Sequence, residues 1–187
     1  MKGLIVLDID ETLISSNILR EDELHTIDQH QFDFNFSLDR EDTTYYVFIK
    51  KRPFVDQFLE YLIDNYKIAV FTAADREYAK KILEHLGILD KLEFFKSRES
   101  LSLGFDWFKL IVYLKKLKSI PDIDLKKTVI IDDTKEVANR NSKNLIHVNS
   151  FQWNKRGSDG DATLLKVISL LEKIKDLPDW TAVRKRI

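Results

Sequence analysis

With 187 residues, 30 basic against 31 acidic and a net charge of −1, the chain is long enough for one domain with a sizeable core and carries no field that would draw it to nucleic acid or a membrane surface. The absence of cysteine excludes a disulfide framework, a thiolate metal site and a cysteine nucleophile. Four scattered histidines, His25, His30, His85 and His147, show no ligand spacing, and no apolar run approaches the ~20 residues that span a bilayer. A soluble, intracellular monomer of cytoplasm or nucleus, making no membrane contact, is therefore expected.

In chain order, Leu4–Leu7 reads as a short buried strand that stops at Asp8-Ile9-Asp10-Glu11-Thr12. Asp-x-Asp-x-Thr directly after four apolar residues arises by chance in on the order of one chain in a thousand, which favours a functional reading over an acidic turn. Residues i and i+2 leave a strand on the same face, so Asp8 and Asp10 can point into one small space. Two such charges repel unless a cation lies between them, and a hard, oxygen-seeking ion such as Mg²⁺ suits a site of carboxylates, waters and a phosphate oxygen.

Phe32, Phe34, Phe36 and Leu38 then alternate with polar residues, and Thr43–Ile49 is rich in β-formers; residues 30–50 read as an inserted hairpin. Its aromatic face can pack on the sheet or form a flap beside the site. Phe54–Asn65 carries Phe58, Leu59 and Leu62 at helical spacing, Ile68–Phe71 is a strand, and Arg76–Leu86 is a helix stopped by Gly87. Phe105–Lys118 is read as a further helix before Pro121, followed by strands at Thr128–Ile131 and Leu145–Val148 and a last amphipathic helix at Thr163–Lys175. This alternation predicts an α/β fold, a parallel sheet with helices on both faces, within a single domain over residues 1–187. Only roughly 55 residues separate Leu13 from Ile68, and a helix and hairpin use most of them, so no large cap domain is expected.

Ligands of open α/β sheets bind outside the carboxyl ends of the strands, which brings together Asp8, Thr72-Ala73-Ala74 after the second strand and Asp132-Asp133 after the third. With Lys109 between the last two, the set can hold a phosphoryl group: cation and ammonium neutralise charge, while hydroxyl and backbone amides donate hydrogen bonds.

The order D-I-D-E-T, F-T-A-A, lysine, I-I-D-D resembles the haloacid dehalogenase superfamily of aspartate-nucleophile phosphotransferases. Lys51-Arg52-Pro53-Phe54-Val55, Phe58-Leu59, Tyr78-Ala79 and Phe94–Arg98 narrow the resemblance to the CTD phosphatases, also called NLI-interacting-factor-like phosphatases, from Lys2 to about Val148 and more weakly through Thr163–Arg184. It implies a Rossmann-like sheet and Mg²⁺ as cofactor. It also implies Asp8 as nucleophile and metal ligand, and Asp10 as proton carrier that binds metal through its backbone carbonyl. Asp132 and Asp133 complete the metal site, Asp133 directly and Asp132 through water or by orienting the lysine. Thr72, Ala73 and Thr12 are expected at the phosphoryl group or its loop, and Arg98 and Arg52 as phosphate or peptide contacts or structural ion pairs. The family usually follows its lysine with Asp-Leu. Lys109 is followed by Leu110-Ile111 and is preferred because the run to Asp132 then holds a helix and a loop, with Lys115 and Lys116 as alternatives.

The expected function is a Mg²⁺-dependent phosphomonoesterase using an aspartyl-phosphate, acting on phosphoserine or phosphothreonine in a protein or peptide. A nucleic acid end or a small phosphoester is the next substrate, and a non-catalytic phosphatase-like binding module or a receiver-type signalling domain the reading from another class. Receiver domains place an adjacent acid pair after the first strand, whereas here Asp-x-Asp comes first and the pair last.

Overall fold

The computed structural model describes residues 2–105, 111–134, 137 and 141–183. A five-stranded sheet forms its centre, built from β1 (Leu4–Leu7), β5 (Lys67–Phe71), β6 (Leu92–Lys96), β9 (Thr128–Asp132) and β10 (Leu145–His147) in the order β10-β9-β1-β5-β6. The four pairings in this sheet are all parallel, with Leu7 opposite both Val70 and Ile131.

Strand alternation sorts the core into two layers. Ile5 and Leu7 face the layer of α1 (Val55–Asn65), α2 (Arg76–His85) and α3 (Thr163–Ile174), where Phe58, Leu62, Ile82 and Val167 are buried. Val6 faces the opposite way, toward Ala69, Ile130, Leu117 and Ile120. With both faces covered, β1 and β9 lose nearly all solvent contact, which is why they read as unbroken apolar runs. Helix α2 starts where the Asp75 carboxylate accepts the Tyr78 amide at 3.0 Å, and ends at Gly87, whose φ of 68° lets the Ile88 amide turn back to the Leu83 carbonyl.

The expected inserted hairpin is present, and a third strand joins it. β2 (Ile14–Arg20), β3 (Phe34–Arg40) and β4 (Thr43–Lys51) make an antiparallel sheet in the order β2-β4-β3. β2 lacks the apolar alternation of β3, since Ser15, Ser16 and Asn17 fill its middle, and the sequence alone does not mark it as a strand.

Of Phe105–Lys118, expected as a helix, residues 106–110 lie outside the described residues and the flanking ones are not α-helical. β7 (Ser102–Phe105) and β8 (Ile111–Leu114) pair antiparallel instead. Ile111, Val112 and Tyr113 are β-branched or aromatic and favour extended backbone, and a Cβ on Gly104 would lie 2.4 Å from Leu114 Cδ1, so glycine permits the close approach. No helix among the described residues is long and apolar enough to cross a membrane.

Candidate active site

The parallel register of β1, β5 and β9 delivers their following residues to one end of the sheet. The Asp8 amide donates to the Ile131 carbonyl at 3.0 Å, so Asp8 and Asp132 leave neighbouring strands side by side. Asp8, Asp132 and Asp133 each offer a carboxylate oxygen, and these lie within 4.8 Å of one another.

Between them sits a lysine. Lys115 Nζ lies 2.6 Å from Asp8 Oδ1 and 2.6 Å from Asp132 Oδ2, and all three side chains are buried. The sequence reading preferred Lys109, which lies outside the described residues; Lys115, one of its two alternatives, is the lysine placed between the acids. Burial pushes the Asp132 carboxyl above the usual range, and the Asp8 charge adds to this against the pull of Lys115. Asp133 is raised too, first by burial and then by the charges of Asp8 and Glu11. Acids that resist sharing one space as anions fit a hard divalent cation, whose charge would lift that penalty, and an all-oxygen donor set suits Mg²⁺.

Asp10 stands apart from this cluster. Its carboxylate turns toward α2, where the Tyr78 hydroxyl donates to Oδ1 at 2.5 Å. Burial raises the Asp10 carboxyl to about 7, the Tyr78 hydrogen bond opposes the rise, and the Asp8 charge adds to it. The carboxyl thus titrates near neutrality, unlike an ordinary aspartate. Asp10, expected to bind metal through its backbone carbonyl and not its side chain, contributes no side-chain oxygen to the three-carboxylate cluster.

The loop carrying both acids is held from beneath. Glu11 adopts a φ of 57°, its carbonyl accepts the Phe151 amide at 2.7 Å, and its carboxylate accepts the Ser150 hydroxyl. Thr12, expected at the phosphoryl group or its loop, is fully buried within the loop, and its hydroxyl donates to Asp133 Oδ1 at 3.4 Å. Arg52, a candidate substrate contact, is likewise internal. Its Nη1 donates to the Thr12 carbonyl at 3.0 Å, and Nη2 donates to the Asn149 carbonyl and to Asp161 Oδ2, each at 2.8 Å. Burial alone would raise the Asp161 carboxyl, but Arg52 and the Thr163 amide hold it below the usual range. Arg52 therefore knots the acid loop to the segment after β10.

A cleft of about 880 Å³ opens over these groups, floored by Asp8, Asp10, Thr72, Ala73, Lys115 and Asp133. Thr72 is buried, and its hydroxyl accepts the Ala74 amide at 3.1 Å. Arg98 lines the cleft, with Nε donating to the Ala73 carbonyl at 2.8 Å. One face of the inserted sheet is divided in two. Phe34 stacks on His85 with centroids 4.5 Å apart and Phe36 packs on Tyr78, whereas Ser16, Ile18, Leu38, Arg40 and Tyr45 overhang the cleft. The insertion thus both packs on the fold and walls the site.

Tyr78 escaped the sequence reading as a site residue, since a tyrosine early in an amphipathic helix looks like core. No local pattern marks its hydroxyl as facing an acid 68 residues earlier in the chain.

A family model for NLI interacting factor-like phosphatases matches residues 3–181. The chain is 32% identical over 190 residues to CTD phosphatase-like protein 355R of Invertebrate iridescent virus 3, covering 93% of this chain and 97% of that protein. It is 30% identical to CTD nuclear envelope phosphatase 1 of Xenopus tropicalis, covering 99% of this chain and 72% of that one. Against CTD small phosphatase-like protein 2 of Dictyostelium discoideum, 30% identical, it spans only 28% of the relative's length. Among solved structures, the fission yeast RNA polymerase II CTD phosphatase Fcp1-R271A bound to beryllium fluoride superposes with a TM-score of 0.59 at 17% identity, over 94% of this chain and 53% of that one, a likeness of fold. The strand-end acids, the lysine between them and the family match converge: the chain belongs to the NLI interacting factor-like phosphatases of the haloacid dehalogenase type and is a phosphoric monoester hydrolase.

Proposed function

We propose that the protein hydrolyses phosphoserine or phosphothreonine in an extended protein segment through an aspartyl-phosphate formed on Asp8. The observation that carries this reading is the unlike treatment of the two acids on one loop. Asp8 is held by Lys115 beside two further carboxylates, while Asp10 is turned away onto Tyr78 and titrates near neutrality.

A carboxylate oxygen of Asp8 attacks phosphorus in line with the departing side-chain oxygen, forming the O–P bond as the ester bond breaks. Asp10 gives its proton to the leaving oxygen, then takes one from the water that hydrolyses the acyl phosphate, which returns Asp8 and protonated Asp10. Lys115 neutralises charge on the transferring group while keeping Asp8 aimed. Asp8, Asp132 and Asp133 would hold Mg²⁺, which supplies charge neutralisation for an anion approaching an anion. An uncapped cleft walled by a β-sheet admits an extended chain more readily than it encloses a metabolite.

The purified protein should release phosphate from an aryl phosphate with Mg²⁺, lose this activity in EDTA, and be inert as Asp8→Asn. Activity surviving Asp8→Asn would sink the mechanism. Ranking kcat/KM over phosphopeptides, nucleotides, 3′-phosphorylated oligonucleotides and sugar phosphates tests the substrate class, which fails if a nucleotide, oligonucleotide or sugar phosphate leads.

A further inference from the structure

Lys115 must place a charge at the end of a long, flexible side chain, yet it follows β8 on backbone without regular structure, just before a 3₁₀ turn at Leu117–Ser119. One side chain from a distant part of the sequence holds that backbone. Asn141 Nδ2 donates to the Lys115 carbonyl at 2.6 Å, and Asn141 Oδ1 accepts the Leu117 amide at 3.1 Å. Nδ2 also donates to the Val137 carbonyl at 3.2 Å. A carboxamide thus makes the pair of bonds that a neighbouring strand would make. Its orientation is fixed chemically, because only the amino group can serve two carbonyls and only the oxygen can serve an amide. Asn141, Lys115 and Leu117 are each no more than 4% exposed, so no water competes for these bonds, and breaking them strands buried polar groups.

We infer that Asn141 is a positioning residue for phosphoryl transfer, fixing the backbone from which Lys115 reaches Asp8 and Asp132. The inference rests on the reading that Lys115 neutralises the phosphoryl group. Asn141 does not line the cleft, so it acts through the backbone it holds, chiefly that of Lys115 by its shortest bond and secondarily that of Val137 at the cleft wall. The leverage comes from the tight end of the arm: with Nζ at 2.6 Å from both acids, a backbone shift of about 1 Å loses one contact or both, and misplacements of that size cost on the order of 100-fold in rate.

A double-mutant cycle on single-turnover release from an aryl phosphate tests this. Asn141→Ala should lower kcat/KM by about 10- to 100-fold and should lower it no further in a Lys115→Met background. Hydrogen exchange should show the Leu117 amide losing protection while the β1 and β9 amides keep theirs. If Asn141→Ala does not fold, Asn141→Asp carries the same cycle, since it keeps the acceptor for Leu117 and loses the donor to Lys115. Equal losses in both backgrounds, or activity within about twofold of wild type, overturn the positioning role and leave the site reading intact. Full activity of Lys115→Met would overturn the site reading itself, and this inference with it.

Discussion

Replacing Tyr78 by phenylalanine removes one hydroxyl from the site and changes little else, because the ring stays packed on Phe36. The hydroxyl donates to Asp10 at 2.5 Å, so it stabilises the ionised carboxylate and holds the Asp10 value, about 7, lower than burial would set it. A hydrogen bond to a charged group contributes about 1.5–3 kcal/mol, so its loss should raise that value by roughly 1–2 pH units. In the proposed mechanism the two half-reactions then respond in opposite senses. Phosphoryl transfer needs the protonated acid and falls as pH rises through its pKa; in the variant that fall moves to higher pH. Hydrolysis of the aspartyl-phosphate needs the ionised base. At pH 7 its ionised fraction drops from about half to between roughly one in ten and one in a hundred. Steady-state profiles of kcat/KM and kcat on a phosphoserine peptide, from pH 5 to 9, should show the alkaline limb of kcat/KM moved upward and kcat at pH 7 reduced about 5- to 50-fold. With nitrophenyl phosphate, whose leaving group needs no proton, the limb of kcat/KM should nearly vanish in both proteins. An unmoved limb in a variant of unchanged Tm would refute the assignment of Asp10.

Lys115→Met leaves Asp8 and Asp132 buried without their shared cation, which should cost about 3–5 kcal/mol, or roughly 6–20 °C in Tm in EDTA, and Mg²⁺ should restore more of this in the variant than it adds to wild type. A Tm in EDTA equal to wild type would contradict the buried ion triad. Arg52→Met should cost about 3–5 kcal/mol in urea unfolding, since Asp161 and the Thr12 and Asn149 carbonyls lose their donor. Because Asp161 is held low, its contribution is present above the unfolded carboxyl value and lost as pH falls through the folded one, so the gap between wild type and Arg52→Met should narrow in acid. Gly3→Ala puts a Cβ 2.0 Å from Trp180 Cη2, inside the most bulky fully buried side chain, and should cost about 1–3 kcal/mol, read as a lowered Tm with Mg²⁺-dependent activity retained at 25 °C.

The parallel sheet was legible because both its faces are buried: Leu4–Leu7, Ile68–Phe71 and Val129–Ile131 could not be apolar throughout in any half-exposed setting. The acids were legible because each ends such a strand. β2 and β6 were not, since a strand with one wet face and Ser-Ser-Asn or Leu-Glu-Phe-Phe composition carries no strong period. Phe105–Lys118 reads as a helix because Trp107, Phe108, Ile111 and Leu114 fall at helical spacing, whereas the β-preference of Ile111-Val112-Tyr113 favours the antiparallel pairing of β7 and β8. Counting a helix between the lysine and Asp132 favours Lys109, which lies outside the described residues; the end of β8 brings the alternative, Lys115, to the acids. Tyr78 and Asn141 belong to contacts 68 and 26 residues apart in the chain, which no local pattern announces.

Arg40, at the end of β3, donates from Nη2 to Asp75 Oδ1 at 2.8 Å and pairs with Glu77, and the same Asp75 oxygen accepts the Tyr78 amide at 3.0 Å. One carboxylate oxygen is therefore the joint between the overhanging wall and the turn of helix that aims a hydroxyl at Asp10. The entrance to the cleft and the tyrosine that hydrogen-bonds Asp10 are thus anchored on one and the same atom.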